Sequence, residues 1–93
     1  MYAVIFEAQI NQLDESYFAT AARMRELATS NYGCVEFTSA TEGDKEIAIS
    51  YWQSFADIQN WKQDAEHLQA QKMGKERWYK NYTVRVVEVI RSY

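Results

Sequence analysis

Proline is absent from this sequence, cysteine and histidine occur once each, and only three glycines interrupt its 93 residues. A single cysteine, Cys34, excludes an internal disulfide framework and fits a reducing, cytoplasmic setting. No Cys-x-x-Cys pair or cluster of His, Cys and carboxylate residues offers a zinc site. Three glycines form neither a phosphate-cradling loop nor a dinucleotide fingerprint, so neither a metal nor a nucleotide cofactor is expected. No apolar run approaches the roughly 18 residues of a membrane span, and the N-terminus enters a strand pattern without a basic start or cleavage site. A membrane partner is therefore not expected. No repeat and no linker rich in Pro, Gly or Ser divides the chain, which reads as one domain, residues 1–93, with a thin core. Neither sign of charge dominates: 10 basic and 13 acidic side chains leave a formal charge of -3. Such a chain has no global field to gather nucleic acid. Lys72, Lys75, Arg77 and Lys80, interleaved with Trp78, Tyr79 and Tyr82, imitate a phosphate-and-stacking surface, but in an acidic chain they read as a solvated helix end.

What the sequence has is hydrophobic periodicity. Residues 2–10 alternate, with Val4, Phe6, Ala8 and Ile10 on one face of a strand and Ala3 and Ile5 on the other. Asp14 is an N-cap for a helix to about Ala28, whose stripe holds Tyr17, Ala21, Met24 and Ala28, broadened by Phe18 and Leu27. Asn31-Tyr32-Gly33 ends it. Cys34 to Thr41 and Glu46 to Trp52 then form a hairpin across Glu42-Gly43-Asp44-Lys45. Ser54 and Asp57 resemble a capping box opening a second helical region to about Tyr79, bent or ended near Gly74. Thr83 to Arg91 closes the chain as a valine-rich strand. The order β-α-β-β-α-β predicts an α+β, ferredoxin-like sandwich: a four-stranded antiparallel sheet with its helices on one face.

Both sheet faces are apolar. Ile47, Ile49 and Tyr51 oppose Ala48 and Trp52 on the third strand, and Val84 and Val86 oppose Val87 and Val89 on the fourth. Two helices cover one face only, so a second copy of the chain is expected on the other, giving a homodimer.

The chemistry-bearing residues cluster in the second half. His67 suits general acid–base work near neutral pH or iron ligation, or sits at the core edge. It follows Trp61 at an angle of about 240° on a straight helix, so only a bend brings the two together. Trp61 and Trp78 are core residues or, beside a cavity, ligand-stacking ones. Cys34 has no local base and reads as core.

The passage Tyr51-Trp52-Gln53-Ser54, Ile58-Gln59-Asn60-Trp61 and His67, with the opening strand Tyr2 to Glu7 and Gly33-Cys34 before the hairpin, resembles the antibiotic biosynthesis monooxygenase domain family along nearly the whole chain. That resemblance implies a dimeric α+β barrel. It also implies a cofactor-independent monooxygenase in which a deprotonated phenol or quinol reacts with dioxygen in a pocket between sheet and helices. Under it, His67 and Trp61 are the expected catalytic residues, and Tyr51, Trp78 and Tyr79 contact the aromatic substrate. Arg85 steadies an oxyanion if it faces the pocket, which its parity with Val87 and Val89 leaves open. The haem-degrading relatives are matched less well, because Gln71 stands where they carry an iron ligand and the first strand has no asparagine before Asn11. A homodimer that binds a small ligand without catalysis is the alternative.

Overall fold

The computed structural model describes residues 1–93. Strand β1 spans Tyr2–Ile10, helix α1 Glu15–Asn31, β2 Cys34–Glu42, β3 Lys45–Trp52, helix α2 Phe55–Lys62, helix α3 Ala65–Met73, then a π turn Gly74–Trp78 and β4 Tyr79–Glu88. The sheet order is β2-β3-β1-β4 with every neighbouring pair antiparallel. This is the expected ferredoxin-like arrangement, with the helices on one face.

Local chemistry accounts for the element ends. Asp14 accepts from the backbone N–H of Tyr17 at 2.9 Å, and Ser54 from that of Asp57 at 3.1 Å, so both predicted caps hold orphan donors of a first turn. Gly33, at φ +82°, turns the chain from α1 into β2, and a Cβ there would stand 3.0 Å from the Asp57 carboxylate.

Two expectations are corrected. The second helical region is not continuous, because Asp64 starts a new helix by accepting from the N–H groups of Glu66 and His67 at 2.8 and 3.1 Å. The last strand begins at Tyr79 rather than Thr83 and ends at Glu88, since Val89 and beyond have no strand partner except a Val89 N–H to Met1 carbonyl bond of 2.9 Å.

Register allocates the faces. Tyr2, Val4, Phe6 and Ala8 of β1 pair with Trp52, Ser50, Ala48 and Glu46 of β3, and this set turns toward the helices. The core gathers at the Trp52 end, where Leu27, Ala28, Cys34, Trp52, Ile58 and Trp61 pack together with Tyr2, Val4, Met24, Tyr32 and Phe37 around them. The Cys34 thiol is buried there, and burial raises its pKa, so it is an inert core group. No helix is long and apolar enough to cross a membrane. Ile58→Ala removes a side chain that seals this end and is 1% exposed. It is expected to cost about 2–5 kcal/mol, read as a lowered urea midpoint; a wild-type midpoint would mean that α2 contributes little to the seal.

Candidate functional site

Between the sheet and the helices lies a cavity of about 430 Å³. Small side chains make it: Ala48 and Ser50 on the floor face Ala21, Ala22, Ala70 and Gly74 on the helical side, where larger residues would have met. Aromatic and aliphatic groups, including Phe6, Phe37, Ile58, Tyr82 and Val84, form most of the remaining wall. Three apolar side chains of its lining are exposed, Phe18 at 62%, Val84 at 45% and Val86 at 38%.

One end of the cavity holds the pair that needed a bend. The break between α2 and α3 folds His67 back over Trp61, and the rings stack at 4.2 Å between centroids with 15° between planes. Trp61 lies in the last turn of α2, so its carbonyl is an orphan acceptor. It accepts from the Asp64 backbone N–H at 3.1 Å and lies 3.1 Å from His67 Nδ1. A carbonyl only accepts, so Nδ1 carries the proton and Nε2 is left as the basic atom. Burial holds the imidazole below its ordinary range, against the opposing pull of the Trp61 carbonyl and the Asp64 carboxylate. His67 is therefore neutral at pH 7 and equipped to accept a proton. Behind it, Tyr32 packs on Trp61 at 5.6 Å and donates to Asp64, fixing the residue that caps α3.

The other end holds a buried carboxylate. Glu46, 7% exposed at the start of β3, accepts a hydrogen bond from the Tyr17 hydroxyl and another, at 2.8 Å, from the Tyr79 hydroxyl. Both phenols are held well above the usual tyrosine range, chiefly by burial, and so remain donors at neutral pH. Tyr79 reaches this position through a bulge. Gln9 pairs with Asn81 but Ile10 pairs with Tyr79, leaving Lys80 as the extra residue and re-aiming Tyr79 to the helix side alongside Tyr82. Its ring lies against Gly74, where a Cβ would come within 3.0 Å of two ring carbons. Phe6 completes the cluster at 5.3 Å from Tyr79 and 5.5 Å from Tyr82.

Of the residues expected from sequence, Trp61, His67, Trp78 and Tyr79 all line this one cavity. Tyr51 and Arg85 do not. Tyr51 alternates with Ser50 and Trp52, which face the helices, and so points to the opposite side of the sheet. Arg85 shares that side through its pairing with Ile5, and its guanidinium sits 3.5 Å from Glu7 and 3.2 Å from Thr83. Trp61 also differs from expectation, because one face of its indole is already covered by His67. Trp78 is buried and meets Tyr17 edge-on at 5.3 Å, serving core and cavity wall together. Sequence reasoning missed Glu46, Tyr17 and Arg25. Arg25 lies on the cavity lining with its guanidinium 5.4 Å from the Phe37 ring centre and an Nη2 bond of 3.1 Å to Ser39. Glu46 opens the predicted third strand directly after the turn, and only its parity with Ala48, Ser50 and Trp52 signals that it turns inward. No group of three or more His, Cys, Asp or Glu residues stands close enough to hold a metal ion.

Comparison with known proteins agrees with this geometry at the level of fold. Uncharacterized protein YqjZ of Bacillus subtilis (strain 168) is 40% identical over 92 residues, covering 98% of this chain and 81% of that protein. SnoaB from Streptomyces nogalater, a cofactor-independent oxygenase, superposes with a TM-score of 0.82 at 11% identity, covering 98% of this chain and 94% of that one. A putative antibiotic biosynthesis monooxygenase from Nitrosomonas europaea does so at 0.81 and 13%, over 98% and 100% of the two chains. Rv0793 from Mycobacterium tuberculosis gives 0.83 and 15%, over 98% and 96%. No family model matches the chain.

The His67 environment has a consequence for stability. Its folded pKa lies below the ordinary 6.5, so below that pH the unfolded chain binds the proton more readily. The contribution is complete above pH 6.5 and is lost as pH falls through the folded value. Asp14, Asp64 and Glu66 are also held below their ordinary values, of 3.8, 3.8 and 4.5, and act in the same direction but at lower pH. Between pH 7 and 5, His67→Gln is therefore expected to flatten the decline in urea midpoint seen for the wild type; parallel curves would mean that His67 is solvated.

Proposed function

We propose, since the chain belongs to the family of Bacillus subtilis YqjZ and has the fold of antibiotic biosynthesis monooxygenases, that its cavity oxygenates a planar phenol or quinol without a bound cofactor. The observation that carries this reading is a neutral, half-buried imidazole with a free Nε2 on the wall of a largely apolar cavity. The substrate lies flat between Phe6, Tyr82 and the alanine-lined helical side. His67 Nε2 takes the hydroxyl proton, and the resulting phenolate, an electron-rich ring in a water-poor space, reacts with dioxygen. One oxygen atom becomes the second carbonyl of a quinone, and the other leaves as water with the two hydrogens the phenol gives up. Trp61 acts through His67, holding it by stacking and by its carbonyl, and so is a positioning residue. Arg25, the guanidinium on the lining, takes the oxyanion role that Arg85 on the far side cannot fill.

The far side of the sheet supports a homodimer. Ile5, Ile47, Ile49 and Tyr51 are only half-covered there and Val87 is exposed, although Ala3 among them is buried. A second copy applied to that face removes this apolar surface from water. Sedimentation should give a dimer, and Ile49→Lys a folded monomer; a monomeric wild type would sink the pairing.

Oxygen uptake with a panel of phenols and hydroquinones tests the reaction. One dioxygen consumed per phenol is expected, and His67→Ala should slow it by roughly 10²–10⁴-fold without dissociating the dimer. Compounds that raise the melting temperature without any oxygen consumption would instead identify a ligand-binding protein.

A further inference from the structure

The two polar ends of the cavity are far apart and chemically unlike. Glu46 and Trp52 bracket β3, and at a rise of roughly 3.3 Å per residue they stand about 20 Å apart along the strand. The Trp61–His67 pair packs at the Trp52 end, and Trp61 lies 6.4 Å from Trp52 between ring centres. Tyr17, Trp78 and Tyr79 gather at the Glu46 end. One continuous cavity touches both.

Glu46 is buried with acceptor capacity to spare. A carboxylate offers about four lone-pair positions. The two phenols fill one on each oxygen. No cation approaches it, since the ion pairs of the chain join Arg23 to Glu26 and Glu66, Arg77 to Asp14, and Arg85 to Glu7. Its cross-strand neighbours are Ala8 and Thr41, and no side chain other than Tyr17 and Tyr79 hydrogen-bonds the carboxylate. A buried carboxylate left with open acceptor positions favours a ligand that brings a donor. Tyr17 and Tyr79 fix its orientation and, as lasting donors, do not compete for the same proton.

We propose that Glu46 is the anchor for a hydroxyl at the end of the substrate remote from His67, so that the cavity selects elongated aromatic diols over aromatics with a single hydroxyl. This rests on the phenol reading above and adds the length and the second functional group of the substrate. His67 then receives the reacting hydroxyl while Glu46 holds the other in a charge-assisted bond that sets the register of the ring system along the cavity. Recognition by an unfilled polar group discriminates strongly, because a ligand lacking the hydroxyl leaves the carboxylate facing an apolar surface.

The test is binding, measured by isothermal titration, of the three-ring rod 4,4″-dihydroxy-para-terphenyl and of its monomethyl ether. The wild type is expected to prefer the diol by about tenfold or more. Glu46→Gln, similar in size but uncharged, should bring the two affinities within about twofold. Tyr79→Phe, which frees one more acceptor position on Glu46, should keep the preference. Equal affinities in the wild type, an undiminished preference in folded Glu46→Gln, or loss of preference in Tyr79→Phe would each overturn the anchor. Should Glu46→Gln not fold, the wild-type and Tyr79→Phe comparisons decide alone. Preference for the diol without oxygen uptake leaves the anchor standing and removes the oxygenase reading. Failure of both compounds to bind removes both.

Discussion

One sheet and its helices can cover one face, and the alternation of side chains along β1, β3 and β4 decides which residues receive that cover. Every chemical property of the cavity descends from this allocation. Ser50 and Trp52 turn toward the helices, so Ala48 and Glu46 must follow them by period 2, and Ile47, Ile49 and Tyr51 must take the other side. The helical side is then closed by bulk at its two ends, through Trp52, Ile58 and Trp61 at one and Tyr17, Trp78 and Tyr79 at the other. Between them Ala48 and Ser50 on the sheet and Ala21, Ala22, Ala70 and Gly74 on the helical side leave a hollow that the larger wall residues line but do not fill. Packing density is high where the fold is sealed and relaxed where the small residues meet, which places the void in the middle of the layer.

Low polarity inside that hollow sharpens the difference between its ends. At the Trp61 end, desolvation drives His67 toward its neutral form, and the carbonyl on Nδ1 selects the tautomer that exposes a base. At the other end, two phenols with strongly raised pKa values stay protonated and donate to Glu46. The same burial thus gives a proton acceptor without charge at one pole and an acceptor held by two phenol donors at the other. Neither depends on an ion pair. The chain's ion pairs lie on its surface, where such contacts contribute little.

Much of the fold is legible in the sequence because it rests on local chemistry. The alternation of residues 2–10, the hairpin turn before β3, and the caps Asp14 and Ser54 each act through neighbours a few positions away. The site is harder to read, since it depends on departures from regularity. Trp61 and His67 stack because Asp64 competes as a cap and breaks a helix that periodicity alone would continue. Tyr51 has the aromatic ring of a ligand contact, yet the residue after it, Trp52, claims the helix side and sends Tyr51 to the other. Arg85 is carried away from the cavity by the same parity, and its partner Glu7 is on the same strand face as Ile5. Glu46 escapes a reading of the sequence because an acidic residue at the exposed start of a strand looks solvated, and its hydrogen-bond partners Tyr17 and Tyr79 lie 29 and 33 residues away.

The route by which Tyr79 reaches Glu46 links two irregularities that look, taken singly, like separate defects. A π turn closes the helical region, with the Tyr79 N–H bonding back to the Gly74 carbonyl, and the strand that follows carries the bulge at Lys80. The wider turn brings Trp78 to rest in the core, while its carbonyl accepts from the Asn11 and Gln12 N–H groups at 2.7 and 3.3 Å and ties the turn to the end of β1. With the start of β4 pinned there, regular pairing onward from Asn81 would leave Tyr79 on the open side. The extra residue reverses its facing, and the absence of a Cβ at Gly74 makes room for the ring that arrives. Irregular backbone at one corner therefore delivers a hydroxyl to a buried carboxylate, while the unbroken pairing of β3 with β1 holds that carboxylate in place.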